Sequence, residues 1–256
     1  MPVSQPATTP EADRLLDQEL DRQLATLLAA GYPALAGTDE ATFTGHVEAL
    51  RPLLSAVRAH PDAALPFLVV VRHELVPTVA AVERFQVRGR AGWTDMADEI
   101  DGYRPIKAVE VPDSPVYLLT DVSTGPETLG VRPADALPMI RAAGRTPLTV
   151  DEGVALVTQL PSGLTELNAF QAVGSRAGNK RIPSFWMSKG APRLGWCWDG
   201  NPHTWLGSAS AGRRLALKKS SAAGSTIGAW PSPPPRSCTS PRPCPSRASG
   251  TTATRR

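Results

Sequence analysis

A tryptophan-rich stretch, residues 181–211, constrains the fold more than any other part of the chain. It contains four of the six tryptophans in the sequence of 256 residues. Its side chains alternate over residues 182–188 and again over residues 194–199, which is typical of half-buried β-strands. Lys189-Gly190-Ala191 has the composition of the turn between them. The pattern predicts a β-hairpin whose aromatic surface is either core or binding platform.

We expect one side of this hairpin to pack under helices. The predicted apolar side consists of Ile182, Trp186, Leu194, Trp196 and Trp198. A surface of this kind is too apolar to be left in water without inviting association. We therefore expect Trp196 to be buried in the core. We expect the turn at residues 199–205 to lie at the surface beside the loop at residues 174–181.

Residues 11–60 predict an antiparallel pair of helices. Pro10 suits the first position of a helix, and leucines recur at helical spacing over Leu16–Leu28. A second apolar stripe runs over Phe43–Val57, and Pro52 should kink or divide it because proline cannot donate a helical hydrogen bond. These two stripes are the surfaces that we expect to cover the hairpin.

The remaining elements place the chain in the α+β class. The predicted strands are Pro66–Arg72, Val116–Val122 and Ala169–Val173, and the predicted helices are Pro133–Ala143 and Thr149–Leu160. Thr149 and Glu152 have the spacing of a capping box, in which each side chain binds the other residue's backbone amide. The sequence predicts a single α+β domain over residues 11–211, with N-terminal helices packed on a small, mostly antiparallel sheet that ends in the Trp-rich hairpin.

The two ends of the chain differ from this domain in composition. Residues 1–10 are rich in proline, threonine and serine, which predicts disorder. Residues 212–256 form a basic, low-complexity tail of proline, serine and arginine, and its last part, residues 231–256, cannot bury enough apolar surface to fold. We expect this tail to be disordered and dispensable for folding. Its abrupt start also fits translation in a wrong reading frame, a hypothesis that the other frames of the coding DNA would test.

The distribution of charge excludes several classes of function. Residues 1–199 contain 18 Lys and Arg against 24 Asp and Glu, whereas residues 200–256 contain nine Lys and Arg and no acid. The acidic body offers no electrostatic basis for specific binding of nucleic acid. No apolar run reaches the ~20 residues of a membrane-spanning helix, and the first residues lack the features of a secretory signal. The composition predicts a cytoplasmic protein without membrane contact.

Three segments resemble a family of uncharacterised actinobacterial proteins. They are PVYLLTDVSTGPETLGVRPADALP (115–138), GRTPLTVDEGVALVTQ (144–159) and LGWCWDGNPHTWLGSAS (194–210). The last segment is the most specific, because its spacing of tryptophans, cysteine and Asn-Pro-His is improbable by chance. The resemblance covers residues 65–211 and implies a domain of unknown function. It implies no activity, cofactor or catalytic residue.

A catalytic site in this region is the alternative interpretation. Cys197 would be the nucleophile of a hydrolase or transferase, with His203 as its base and Asp199 beside them. A thiol between two tryptophans is more often packed and inert. No metal site is predicted, because the histidines show no ligand spacing and one Cys with one His falls short of the four ligands of zinc. The loop at residues 174–181 lacks the ending of a phosphate-binding P-loop, and no cofactor is predicted.

The favoured interpretation is a non-catalytic module that binds a small molecule or another protein. Trp198, His203 and Trp205 would form its contact surface, since recognition residues often lie on loops held by a rigid scaffold. Arg176 and Arg181 would bind at the edge of this surface. The sequence leaves the ligand and the oligomeric state open.

Overall fold

The computed structural model describes residues 10–58, 65–164 and 169–217. The predictions for residues 1–9 and 218–256 lie outside these residues. The α-helices of the described part are α1 (Pro10–Ala29), α2 (Tyr32–Leu35), α3 (Glu40–Glu48), α4 (Thr78–Val82), α5 (Pro133–Ala142) and α6 (Val150–Gln159). Short 3₁₀ helices cover Arg51–Ala56, Ile100–Gly102, Pro126–Thr128 and Pro161–Gly163. The strands are β1 (Phe67–Val71), β2 (Gln86–Val87), β3 (Arg90–Ala91), β4 (Trp93–Thr94), β5 (Arg104–Pro105), β6 (Val116–Thr120), β7 (Thr146–Pro147), β8 (Ala169–Gln171), β9 (Ser175–Arg176), β10 (Arg181–Ser188), β11 (Ala191–Trp198), β12 (Leu206–Ser208), β13 (Ser210–Ala211) and β14 (Arg213–Leu215).

These strands form two main sheets. A three-stranded antiparallel sheet has the order β1-β6-β14, and a five-stranded mixed sheet has the order β12-β8-β10-β11-β4. In the mixed sheet, β10 is antiparallel to β8 and β11, whereas β4 and β12 run parallel to their neighbours. Further two-stranded pairs join β2 to β3, β5 to β9 and β7 to β13. The α+β prediction is confirmed, with two principal sheets in place of one.

Helix α1 closes one edge of the three-stranded sheet. Four leucines of its predicted apolar stripe are buried: Leu16, Leu20, Leu24 and Leu27. Between them, the fully buried Gln23 donates from Nε2 to the carbonyl of Phe67 at 2.8 Å and accepts from the amide of Val69 at 2.7 Å. The side-chain amide thus takes the place of a neighbouring strand. It pairs two backbone groups of β1 that would be unsatisfied at an open sheet edge.

The second predicted helix is divided in two, as its proline indicated. Asp39 caps α3 by accepting from the amide of Thr42 at 2.7 Å. Helix α3 ends at Glu48, and Pro52 lies in the 3₁₀ helix that follows. Because proline has no amide hydrogen, the α-helical ladder cannot continue through it.

Helix α6 lies at the centre of the fold. All of its residues except Asp151 are buried. The predicted capping box between Thr149 and Glu152 is present at its start. The helix contacts β1, and on the hairpin side the ring of Phe185 lies so close to Gly153 that a Cβ there would be 2.4 Å from it. A helix buried on all sides must satisfy every polar group that it carries within the protein.

The carboxylate of Glu152 is the most demanding of these groups. It is fully buried, and Arg214 donates to both of its oxygens, from Nε at 2.6 Å and from Nη2 at 2.8 Å. The hydroxyl of Tyr117 donates to it at 2.8 Å. Burial raises the pKa of Tyr117 well above its ordinary value, so that this hydroxyl stays a neutral donor. The buried charge is therefore compensated by a bidentate guanidinium and a phenol.

The fold continues past the boundary at residue 211 that the sequence suggested. Strand β14 pairs antiparallel with β6 and carries Arg214 into the core beside Glu152. The low-complexity tail was expected to start at residue 212, but residues 212–217 are described and include this strand. The sequence gives no sign of the contact, because 62 residues separate the two partners.

The hairpin itself is confirmed. Strands β10 and β11 pair over their whole length, and Ser188 faces Ala191 across the turn. Lys189 and Gly190 form this two-residue turn with φ values of 54° and 75°. Positive φ at both positions is the requirement of a tight hairpin turn that matches the twist of its strands.

The predicted composition of the hairpin's two faces was wrong. The register pairs Ile182 with Cys197, Trp186 with Arg193, Phe185 with Leu194 and Pro183 with Trp196. Directly paired residues share a face, so Ile182 and Trp186 lie on one face. Leu194, Trp196 and Trp198 lie on the other, which we call the α6 face.

The helix that covers the α6 face also differs from the prediction. The N-terminal helices were expected there, but Phe185 of this face packs against α6. On the opposite face, Ile182 packs against Ile140 of α5 and Val173. Trp196, which we expected to be buried, is half-buried and packs at the margin of the core. The two strands are therefore held between α6 and α5.

We predict that Arg214→Met lowers the free energy of unfolding by ~3–5 kcal/mol, because it leaves the Glu152 charge buried without its partner. Chemical denaturation would measure the change. The matched control is Arg213→Met at the exposed neighbouring position, which should stay within about 0.5 kcal/mol of the wild type. Adding Glu152→Gln to Arg214→Met should recover part of the loss. If Arg214→Met and Arg213→Met lowered the free energy of unfolding by equal amounts, the role of Arg214 as the partner of Glu152 would be contradicted.

Candidate functional site

The end of the α6 face carries an aromatic surface that we call the Trp shelf, formed by Trp196, Trp198 and Arg181. The two indole rings meet edge to face, with centroids 5.0 Å apart and an interplanar angle of 74°. The guanidinium carbon of Arg181 lies 4.3 Å from the ring centroid of Trp196 and 6.0 Å from that of Trp198. This stacking fixes the two rings in place. Trp198 remains 46% exposed.

The two arginines at the Trp shelf, Arg181 and Arg176, are paired with carboxylates. Nη1 of Arg181 lies 3.0 and 2.9 Å from the two carboxylate oxygens of Glu99. Arg176 donates to Asp199 at 3.3 Å and to the carbonyl of Val173. An anionic ligand would have to displace these partners, so the shelf offers aromatic surface more than free positive charge.

A second aromatic group, the Trp93 stack, lies on the opposite face of the hairpin and consists of Trp93, Arg193 and Trp186. The guanidinium carbon of Arg193 is 4.7 Å from the ring centroid of Trp93 and 4.6 Å from that of Trp186. Arg193 also forms an ion pair with Asp95. The ring of Trp186 lies over Gly195, where a Cβ would be 2.4 Å from it. The glycine therefore makes room for the stack.

The structure divides the five predicted ligand-binding residues among three places. Trp198 and Arg181 belong to the Trp shelf. Trp205 and His203 continue the Trp93 stack, since Trp205 lies 6.3 Å from Trp186 and His203 lies 5.5 Å from Trp205, ring centroid to ring centroid. Arg176 is held by Asp199. One small ligand is therefore not surrounded by all five.

The three residues of the alternative catalytic site are engaged elsewhere. Cys197 lies beside Ser184, and burial raises the pKa of its thiol. Asp199 binds Arg176, and His203 packs on Trp205. Among the contacts of the described residues, none joins Cys197 to His203. A nucleophilic cysteine needs a lowered pKa, so this environment favours an inert thiol.

Three residues of these aromatic surfaces were missed by the sequence analysis: Trp93, Arg193 and Glu99. Strand β4 is only two residues long, too short for an alternating pattern to reveal Trp93. Arg193 and Glu99 act through partners distant in the sequence, Asp95 and Arg181. The small residue Gly195 opposite Ser184 is the one local signal, and its meaning depends on the strand register.

A polar cluster at the start of α6 also went unrecognised. His73, Glu74 and Asp151 bring three potential ligand atoms within 4.8 Å of one another. Nδ1 of His73 lies 2.9 Å from Oδ2 of Asp151 and 3.5 Å from Oε2 of Glu74, and Arg72 pairs with Glu74. The hydrogen bond to Asp151 is the main cause of the raised pKa of His73. The cluster thus acts as an ion-pair network that ties the segment after β1 to α6.

A family model matches residues 26–217 of the chain, from within α1 to the residues after β14. The chain belongs to the family of unknown function DUF5701. This match includes the last four residues of α1, helices α2 and α3, and strand β14, and so exceeds the resemblance at residues 65–211. No curated protein and no solved structure shows significant similarity to the chain. In the described part of this DUF5701 member, no helix has the length and apolarity needed to cross a bilayer.

The His73–Asp151 pair predicts a pH-dependent contribution to stability. Because the folded-state pKa of His73 is raised above its usual ~6.5, the contribution is complete below about pH 6.5 and is lost as the pH rises through the folded-state pKa. Denaturation curves measured from pH ~5 to ~9 cover the titration of the imidazole. They would therefore show a difference in the free energy of unfolding between wild type and His73→Gln that shrinks as the pH rises.

The control for this titration is the same comparison in an Asp151→Asn background. There the pH dependence of the His73→Gln effect should be reduced, because the main partner of the imidazolium is gone. A His73→Gln effect that grows with pH would refute the assignment.

Proposed function

We propose that this protein is a non-catalytic interaction module whose Trp shelf binds an extended segment of a protein partner. The observation that carries the proposal is the exposure of Trp198, 46% of whose surface is open to solvent beside a second, half-buried tryptophan. Exposed tryptophans on a rigid scaffold are frequent anchors of protein interfaces. The β-ladder, the stacked Arg181 and the core contacts of Trp196 hold this anchor in place before binding.

The exposure of the Trp shelf supports a peptide or protein as its ligand. Two cavities lined by described residues, of about 550 and 350 Å³, lie elsewhere. The first is lined by residues of α1, α3 and the 3₁₀ helix that follows α3, and the second by residues 86–88, 161, 162 and 164. Small molecules are usually bound in concave pockets that bury most of their surface. The Trp shelf instead presents an exposed indole, which suits a ligand that lies along it.

The pairing of charges supports a ligand that is not polyanionic. Arg181 and Arg176 are bound to Glu99 and Asp199. Nucleic-acid sites need cations that are free to neutralise phosphates.

The alternative function, a hydrolase or transferase, is less well supported, because the raised pKa of Cys197 disfavours the thiolate that would act as its nucleophile. That the protein acts in the cytoplasm remains a prediction from its sequence.

Selection of peptides on the intact protein tests the proposal. A random dodecapeptide library displayed on phage would be selected on the immobilised full chain, and the Kd of each enriched peptide would be measured by calorimetry. We expect peptides whose Kd rises at least tenfold for Trp198→Ser, since loss of a central anchor costs more than ~1.4 kcal/mol.

The matched control is Met139→Ser. Met139 is 44% exposed, close to the value for Trp198, but lies on α5. This substitution should leave the Kd unchanged. Failure to enrich any peptide, or enriched peptides that bind both variants like the wild type, would exclude the Trp shelf as the binding surface.

A further inference from the structure

We propose that the extended segment of the partner binds by adding a β-strand to the open edge of β11, at residues 195–198. This inference rests on the proposed function, and it specifies how the ligand of the Trp shelf is held. Strand β4 is the outer neighbour of β11 in the mixed sheet, but their pairing covers only Arg193 and Leu194. Among the strands of the described residues, residues 195–198 therefore have a neighbour on the β10 side alone.

The pairing of β10 with β11 shows which backbone groups point to this open edge. In an antiparallel pair, residues that exchange two hydrogen bonds alternate with residues whose amides and carbonyls point outwards. The carbonyl of Pro183 accepts from the amide of Ala172 at 2.8 Å, on the side away from β11. Pro183 and its partner Trp196 are therefore an outward-pointing pair. By the same alternation, the backbone of Trp198 also points to the open edge.

Three backbone groups of this edge are free for a ligand. They are the amide and the carbonyl of Trp196 and the amide of Trp198, since the carbonyl of Trp198 accepts from the amide of Asn201 at 3.1 Å. None of the three has a hydrogen-bond partner among the residues that the structure describes. Alternate residues of an extended peptide direct their amides and carbonyls to a neighbouring strand. A segment of about three residues can therefore bind all three groups, in the position where β4 leaves the sheet.

The open edge of β11 differs from two other sheet edges of the protein. Gln23 binds the edge of β1, and at the far side of the mixed sheet the amide of Ser208 in β12 donates to Oγ1 of Thr128 at 2.7 Å. Natural proteins often protect an exposed edge with charged side chains or proline. Residues 195–198 have the sequence Gly-Trp-Cys-Trp and carry neither. An uncharged edge with free backbone groups suits a partner strand.

The strand register links this edge to the Trp shelf. A peptide residue opposite Trp196 has its side chain on the α6 face, and so does the peptide residue opposite Trp198, two positions away. These two side chains would lie beside the two indole rings. The peptide residue between them faces the other side of the sheet. We therefore expect ligands with apolar side chains at positions i and i+2.

A second copy of this chain fits the edge less well than a separate peptide strand. Two β11 strands paired about Trp196 would bring Trp198 of one copy opposite Leu194 of the other, where β4 already lies. Pairing about Cys197 would instead place the amide of Trp196 opposite the carbonyl of Trp198, which Asn201 already occupies. Neither arrangement satisfies all three free groups, whereas an extended segment can.

Hydrogen exchange of the backbone amides, followed in ¹H–¹⁵N spectra of the full chain, tests whether the edge is open. The protection factors of Trp196 and Trp198 should be at least about tenfold lower than those of Gly195 and Cys197. The latter two are the matched controls, because they lie in the same strand with their amides directed to β10. An amide of Trp196 as protected as these neighbours would overturn the proposal. Protection that rises with protein concentration would overturn it in favour of a second copy.

The bound state is tested with the tightest-binding library peptide whose affinity depends on Trp198. In the complex, the protection factors of the Trp196 and Trp198 amides should rise at least about tenfold. Synthetic copies of the peptide would carry one N-methyl group each, at successive backbone nitrogens. Only every second amide of a strand faces its neighbour. We therefore expect the Kd to rise at least about tenfold at alternate positions and less than about threefold at the positions between them.

Different results would overturn strand addition and the proposed function. Peptides that depend on Trp198 but lose affinity evenly along their backbone would overturn strand addition, while the proposed function stands. The same holds for such peptides if they leave the amide of Trp196 unprotected. If selection yields no peptide that depends on Trp198, both proposals fail.

Discussion

The close approach of Gly153 to Phe185 is the contact on which the arrangement of the two sheets depends. A side chain at residue 153 would place its Cβ 2.4 Å from the ring of Phe185, which is itself fully buried and stacked on Phe170 at 4.9 Å. The absence of a side chain lets α6 lie directly on the hairpin. Because the same helix contacts β1 on another side, a single buried helix joins the mixed sheet to the three-stranded sheet.

This arrangement also explains the position of the candidate site. Strands β10 and β11 have eight residues each, which corresponds to about 26 Å of strand at ~3.3 Å per residue, whereas α6 has ten residues and a length of only about 15 Å at ~1.5 Å per residue. The helix therefore covers Phe185, which is fully buried, and Trp198 near the strand end remains exposed. The exposed tryptophan is thus a consequence of the packing of a short helix on a long hairpin.

Features carried by local sequence could be predicted, and those carried by distant pairing could not. The capping box of Thr149 and Glu152 was recognised because its partners are three positions apart, and the place of the hairpin turn was recognised from Lys189 and Gly190, although the predicted turn also included Ala191, which begins β11. The two hairpin faces were confused because the register of the strands, and not the alternation alone, decides which face Trp186 shares. Arg214 escaped notice because its partner is a buried carboxylate 62 residues away, and nothing local distinguishes it from its exposed neighbour.

The contact between α6 and the hairpin is tested most directly by the stability of Gly153→Ala. Helix propensity alone favours alanine over glycine by ~1 kcal/mol, and Gly45→Ala in α3, where a Cβ would meet nothing within 4 Å, should show a gain of that order in chemical denaturation. At Gly153 we predict the opposite sign, a loss of ~1–3 kcal/mol, because the added methyl overpacks a filled core. A Gly153→Ala protein that gains stability like Gly45→Ala would contradict this account of the fold.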